Sequence, residues 1–186
     1  MKLLITISGF SGSGKTSLTD ELAANLKDAL VMKFDELDSL MIWSDDYPEW
    51  LAQGADYEAF NLERMRVHVD QAIKESRARC VIFDYPFGRL HSAFRDVIDM
   101  AVYVDTPLDI AMARRLLRDL PIDPGVARRH VKEDLQAYLA NGRNAYLEMD
   151  RQVKPSCDLL VDGTRPIDEL VSIILQEVKT RKLFSV

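Results

Sequence analysis

The stretch GFSGSGKTS runs from Gly9 to Ser17 and carries the spacing G-x-x-x-x-G-K-T, whose chemistry is phosphate binding. Gly9, Gly12 and Gly14 allow a run of backbone N–H groups, with Ser11 and Ser13 between them, to converge on phosphate oxygens. A helix opening at the end of the loop adds the positive end of its dipole. Lys15 is placed to reach β- and γ-phosphates, Thr16 to offer its hydroxyl to Mg²⁺, and Ser17 to donate to an α-phosphate.

A magnesium ion held by such a loop needs a carboxylate at a neighbouring strand end. Asp84, closing the apolar run CVIFD, supplies one, directly or through water. Arg114 and Arg118 are four residues apart and share a helix face, with Ile110, Ala113 and Leu117 expected on its buried side. Arginines so placed neutralise charge on a transferring phosphoryl group, and Arg118 is the foremost candidate. Arg114 is also a candidate for stacking on a base, with the loop Asp162 to Arg165 as a positional expectation for the adenine pocket.

These groups need a scaffold that ends several strands at one edge. Short apolar runs at 3–8, 30–34, 80–84, 100–105 and 157–163 read as strands. Helical patterns occupy 15–27, 61–76, 107–120, 126–150 and 166–180, with Thr106 expected to cap the third of them. Continuous rather than alternating apolarity means strands buried on both faces. The expected architecture is therefore an α/β three-layer sandwich, a five-stranded parallel sheet with helices on both sides. Ligands in such sheets bind beyond the strands' carboxyl ends. The chain reads as a single domain, 1–186, with an acceptor-binding insertion at about 35–60 and a helical lid at about 114–130.

Composition limits the alternatives. The net charge is −6, which argues against a nucleic-acid-binding face. No apolar run reaches a membrane span, and MKLLITIS reads as a strand rather than a leader, so a cytoplasmic location is expected. Cys80 and Cys157 are expected to be buried thiols, and His68, His91 and His130 to serve surface or helix-packing roles. Neither N-K-x-D, for guanine, nor an S-G-G-Q signature is present, which leaves a small-molecule kinase among users of this loop.

The segment FDYPFGRLHSAFRDVIDMAVYVDTPLDIAMARRLLRDL resembles the uridine kinase branch of P-loop kinases, related to phosphoribulokinase. Asp84, Arg95-Asp96, Val104-Asp105-Thr106 and Arg114-Arg115 through Arg118-Asp119 match that family's pattern in order. The resemblance extends to GKTSL and KPSCDLLVDG and covers nearly the whole chain. It implies the P-loop kinase fold, ATP and Mg²⁺ as cofactors, and a small-molecule phosphate acceptor. By position in KFDELDSL it implies Asp35 as the carboxylate beside the acceptor hydroxyl, with Asp38 a weaker competitor. In DYEAFN it implies Asp56 on ribose hydroxyls and Phe60 beneath the sugar. The acceptor-binding set is then Asp35, Asp56, Phe60, Tyr85 and Arg115.

The chain also departs from the family. Asn61 replaces its Asp, and the short E-R-G-R segment is absent. Arg128, Arg129 and His130 either stand in for those arginines or lie on the surface. Trp43, Tyr47, Trp50 and Tyr57 either stack a flat ring or form a local core. The expected function is transfer of the γ-phosphoryl of Mg·ATP to a hydroxyl of a small metabolite. A nucleoside, a vitamin alcohol and a sugar all remain open as acceptors, beside a regulatory nucleotide-binding module with little transferase activity. Oligomeric state is open too.

Overall fold

The five apolar runs become strands β1 (Leu3–Ser8), β2 (Ala29–Lys33), β3 (Cys80–Asp84), β4 (Met100–Asp105) and β5 (Leu159–Asp162). The computed structural model describes residues 2–42, 47–121 and 124–183. All strand neighbours are parallel, in the order β2-β3-β1-β4-β5. Every residue of β1 and β3 is buried, as continuous apolarity predicts for central strands covered on both faces.

Strand alternation divides the core into two layers. Ile5, Ile7, Ile82, Val102 and Val104 pack with Leu18 and Leu22 of α1 (Lys15–Ala24). Across the sheet, Leu4, Val81, Phe83 and Tyr103 pack on a second cluster. After β2 come the short helices α2 (Phe34–Leu37) and α3 (Tyr47–Ala52), then α4 (Glu63–Glu75), whose Met65 and Val69 enter that second layer. A helical turn, α5 (Ser92–Arg95), leads into β4.

Two helices follow β4: α6 (Leu108–Asp119) and α7 (Pro124–Ala137). The latter continues through a π turn, Tyr138–Gly142, into α8 (Arg143–Ser156). This stretch outruns the expected end at 150 because Pro155 sits in the final turn, where its missing N–H removes only one late hydrogen bond. The closing helix α9 (Ile167–Thr180) buries Leu170, Val171, Ile174 and Val178 against the α1 side. Its first turn holds Asp168 and Glu169 and its last Lys179, complementing the helix dipole.

Two expectations about α6 are corrected. Its buried residue is Ala111, whereas Ala113 is exposed and Leu117 is 75% exposed. The cause is Gly12. A Cβ there would lie 2.1 Å from the Ala111 carbonyl oxygen, so the loop's bare backbone draws the Ala111 side of α6 inward. Thr106 is not the cap either; Pro107 holds that position, and the Thr106 hydroxyl donates to the Ser13 carbonyl at 2.9 Å.

One polar hub ties the sheet's other edge. Arg89 donates to Asp158 through Nε (3.1 Å) and Nη2 (2.6 Å), and to the Ile98 carbonyl at 2.8 Å. Asp158 also accepts from the Ala101 N–H at 2.7 Å. Burial raises the Asp158 carboxyl, but the Ala101 N–H and Arg89 outweigh it and hold its pKa below the usual value. A depressed carboxylate contributes stability that is present above its unfolded pKa and lost as pH falls through the folded one. Arg89→Met should therefore lower unfolding free energy at neutral pH by about 1–3 kcal/mol. It should also flatten the stability loss on acidification below about pH 4. Urea melts at several pH values measure both, and an unchanged acid profile would show that Arg89 does not hold Asp158.

Candidate functional site

The loop after β1 forms because backbone shape and packing coincide. Gly14 adopts φ +105° at the N-cap of α1, and Gly12 adopts φ +84° where α6 leaves no room for a side chain. The Ser13 N–H bonds back to the Phe10 carbonyl at 3.0 Å. Ser13 Oγ is buried without a partner, so this residue offers the site its backbone only. Lys15 Nζ folds over the loop, 3.3 Å from the Phe10 carbonyl. Its burial lowers its pKa, against the pull of Asp84 and Asp35.

Asp84 projects from β3 on the same side as Ile82, toward α1, and accepts from Thr16 Oγ1 at 2.7 Å. It is 5% exposed. Burial raises its carboxyl pKa, while Lys15 and the Thr16 hydroxyl work the other way.

These groups line a cavity of about 810 Å³ beyond the carboxyl ends of the strands. One part consists of the loop residues Gly9, Ser11, Gly12, Gly14, Lys15, Thr16 and Ser17 with Arg114 and Arg118. Arg114 donates to the Gly163 carbonyl at 2.9 Å, bridging the loop and the turn after β5. Arg118 pairs with its neighbour Asp119 at 2.7 Å. Asp35, in the first turn of α2, lines the same cavity, as do Asp38, Phe34, Trp50, Tyr57, Phe60 and Phe87.

Four of the residues read from the sequence as site residues lie off the cavity wall. Besides Ser13, Asp56 caps the turn at 57–59: its Oδ1 accepts from the Glu58 N–H at 3.0 Å. Tyr85 is fully buried because strand alternation turns it, with Phe83, to the face opposite Asp84. It packs on Phe34, Phe83, Phe87 and Phe94, and its hydroxyl is driven far up in pKa by burial. Arg115 binds Asp134 of α7 at 2.5 Å and the Tyr146 hydroxyl of α8 at 2.9 Å, so it fastens α7 and α8 to α6. Arg128 and Arg129 are exposed and also off the wall.

Of the two alternatives for the aromatic stretch, the structure describes the local core. Trp50, Tyr57 and Phe60 pack edge-on or tilted against one another at 5.0–6.2 Å, a local core, and the same residues face the cavity. Trp43 and the Tyr47 side chain lie outside what the structure describes. Wall residues that the motif reading missed are Phe10, Phe34, Pro86, Phe87, Ala145 and Met149. Pro86 and Phe87 follow a strand end, where the architecture places ligands. Ala145 and Met149 are four apart on α8, a spacing that carries no chemical signal.

No protein-family model matches the chain. A uridine kinase of Borrelia duttonii (strain Ly) is 23% identical over a 202-residue alignment, spanning 97% of this chain and 96% of that protein. A uridine kinase of Oceanobacillus iheyensis is 25% identical, spanning 86% and 85%. Among solved structures, shikimate kinase from Aquifex aeolicus superposes with a TM-score of 0.54 at 18% identity, over 98% of this chain and all of that one. Shikimate kinase from Acinetobacter baumannii, in complex with shikimate, gives 0.55 at 16% identity, covering 99% and 97%. The fold is the P-loop kinase fold. Along nearly its full length the chain also resembles uridine kinases, as the sequence pattern suggested.

Arg115→Met should speed limited proteolysis between α6 and α7 several-fold. It should change ATP affinity by less than about threefold, since the guanidinium contacts α7 and α8 rather than the cavity. A tenfold loss of ATP affinity with unchanged proteolysis would return Arg115 to the ligand site.

Proposed function

We propose that the protein is a kinase that transfers the γ-phosphoryl of Mg·ATP to a hydroxyl of a small metabolite, with nucleosides such as uridine among the candidate acceptors. The observation that carries this reading is the convergence of Lys15, the Thr16–Asp84 pair and Asp35 on one cavity behind a glycine loop. A nucleotide-binding module without transfer would keep the glycine loop but would need neither Asp35 nor the arginines of α6.

Phosphoryl transfer asks a protein for positioning and charge neutralisation. Loop N–H groups and Lys15 would hold the donor phosphates. Thr16 and Asp84 fit a magnesium site: a hydroxyl and a carboxylate 2.7 Å apart beside the phosphate loop, leaving further positions to water and phosphate oxygens. Thr16 and Asp84 would hold the magnesium ion, whose charge would offset that of the donor phosphates.

Asp35 is exposed on the cavity wall, and its charge acts on both Lys15 and Arg118, favouring their protonated forms. It would accept the acceptor's hydroxyl proton and orient that oxygen for in-line attack. Arg118 would leave Asp119 and turn to the transferring group, as an exposed pair of low net worth allows. The shikimate and uridine of the related proteins both present a hydroxyl to such a site, so acceptor chemistry is the open variable.

The deciding experiment measures ADP release with Mg·ATP and a panel of nucleosides, vitamin alcohols and sugars. An acceptor should raise turnover at least tenfold over ATP alone. Asp35→Asn should cut kcat by about 10²-fold or more while leaving ATP affinity within about threefold. Acceptor-independent ADP production throughout would defeat the kinase reading, and equal turnover by Asp35→Asn would remove Asp35 from the role of base.

A further inference from the structure

The cavity divides its charges unevenly. Its three cations, Lys15, Arg114 and Arg118, all come from the glycine loop's helix and from α6. Each already has a protein partner: Lys15 the Phe10 carbonyl, Arg114 the Gly163 carbonyl and Arg118 the Asp119 carboxylate. The wall residues Phe34, Trp50, Tyr57, Phe60, Phe87 and Met149 carry no charge. Besides Asp84, the anions of the wall among the described residues are Asp35 and Asp38, three residues apart on consecutive helical turns.

Asp35 has a task in the reading above, and this argument rests on that reading. Asp38 has none. Its carboxylate is exposed on the wall, and among the described residues no side chain or N–H bonds to it; only its backbone carbonyl is used, by Met41. A carboxylate beside several aromatic rings is the pairing that recognises an ammonium group, by charge and by attraction to ring faces. The same pair of carboxylates repels an anionic acceptor, which would need an arginine or lysine on this side.

We propose that the acceptor is a cationic alcohol, a hydroxyl-bearing ring or chain with a protonated amine, and that Asp38 is the carboxylate that recognises the amine. The hydroxyl lies toward Asp35 and the loop, and the apolar body lies against the aromatic wall. Carboxylated and phosphorylated alcohols are excluded on charge.

The test uses three matched probes on the full chain saturated with Mg²⁺ and a non-hydrolysable ATP analogue, so that the donor cations are already covered. The probes are para-(aminomethyl)benzyl alcohol, para-(hydroxymethyl)benzyl alcohol and para-(hydroxymethyl)benzoate, and ligand-observed NMR ranks their affinities. The amine should bind at least about tenfold tighter than the carboxylate, with the neutral diol between them. Asp38→Asn should bring the amine down to the diol, and Asp38→Glu should keep most of the preference. Because the Asp38 carboxylate makes no bond within the described structure, both variants should fold, which thermal melts verify. A carboxylate that binds as well as the amine, no detectable binding of the amine, or an order indifferent to Asp38→Asn would each overturn the proposal. Failure of the ATP analogue itself to bind would instead strike the kinase reading, so the two outcomes are separable.

Discussion

Parallel registration of three strands is the constraint on which the cavity depends. Asp84 pairs in register with Ile7 of β1 on one side and with Lys33 of β2 on the other. The three strands therefore end at one level, and the segments leaving them begin as neighbours. The glycine loop leaves β1 two residues beyond Ile7, and Asp35 follows Lys33 by two. No side-chain contact is needed to bring these groups to one edge; the hydrogen-bond ladder does it. Antiparallel pairing of β1 with β3 would send the loop and Asp84 to opposite ends of the sheet.

On that edge, charge is concentrated where solvent is scarce. Lys15 and Asp84 are each pushed toward neutrality by burial, and each resists through the other. A pair of this kind contributes little to fold stability, because desolvation consumes most of the mutual attraction. What it gives the site is preorganisation: a lysine and a carboxylate already stripped of water, with the Thr16 hydroxyl fixed between helix and strand. Phosphate arriving there meets donors that need not reorganise. The loop's own rigidity comes from neighbours that carry no charge at all, the Ala111 carbonyl over Gly12 and the Thr106 hydroxyl on Ser13.

Much of this was legible in the sequence because it is local. A glycine spacing, a carboxylate after an apolar run and two arginines four apart depend on residues close in the chain, and the loop, Asp84, Arg114 and Arg118 all line the cavity. What sequence could not give was orientation fixed by distant packing. Whether Ala111 or Leu117 faces inward is decided by the contact with Gly12, about a hundred residues away. Arg115 lies off the cavity wall because Asp134 and Tyr146 meet it from α7 and α8. Tyr85 falls to the wrong face by a one-residue step, since strand alternation reverses a side chain with each position. Asp56 shows a different limit: a carboxylate two residues before an N–H is as good a cap as it is a ligand, and pattern alone does not separate the two.

The aromatic wall is tied to the reacting edge through a residue that the sequence assigned no particular task. His91 is buried, not on the surface, and does pack at a helix end. Its Nδ1 accepts from the Ala93 N–H at 3.0 Å, so Nε2 bears the proton and donates to the Phe60 carbonyl at 2.8 Å. Glu58 reinforces the link by accepting from the Ser92 N–H and hydroxyl, both at 2.7 Å, and by pairing with Arg95 at 3.2 Å. The wall segment 57–60 is thus bonded to the chain that leaves β3, seven residues after Asp84. Phe60 and Phe87 stack across this junction at 5.5 Å, nearly parallel. Phe60 is therefore held relative to Asp84 by a short series of hydrogen bonds rather than by the long excursion from β2 to α4. A histidine-centred clasp thus holds the aromatic wall to the same sheet edge from which the glycine loop and Asp84 leave.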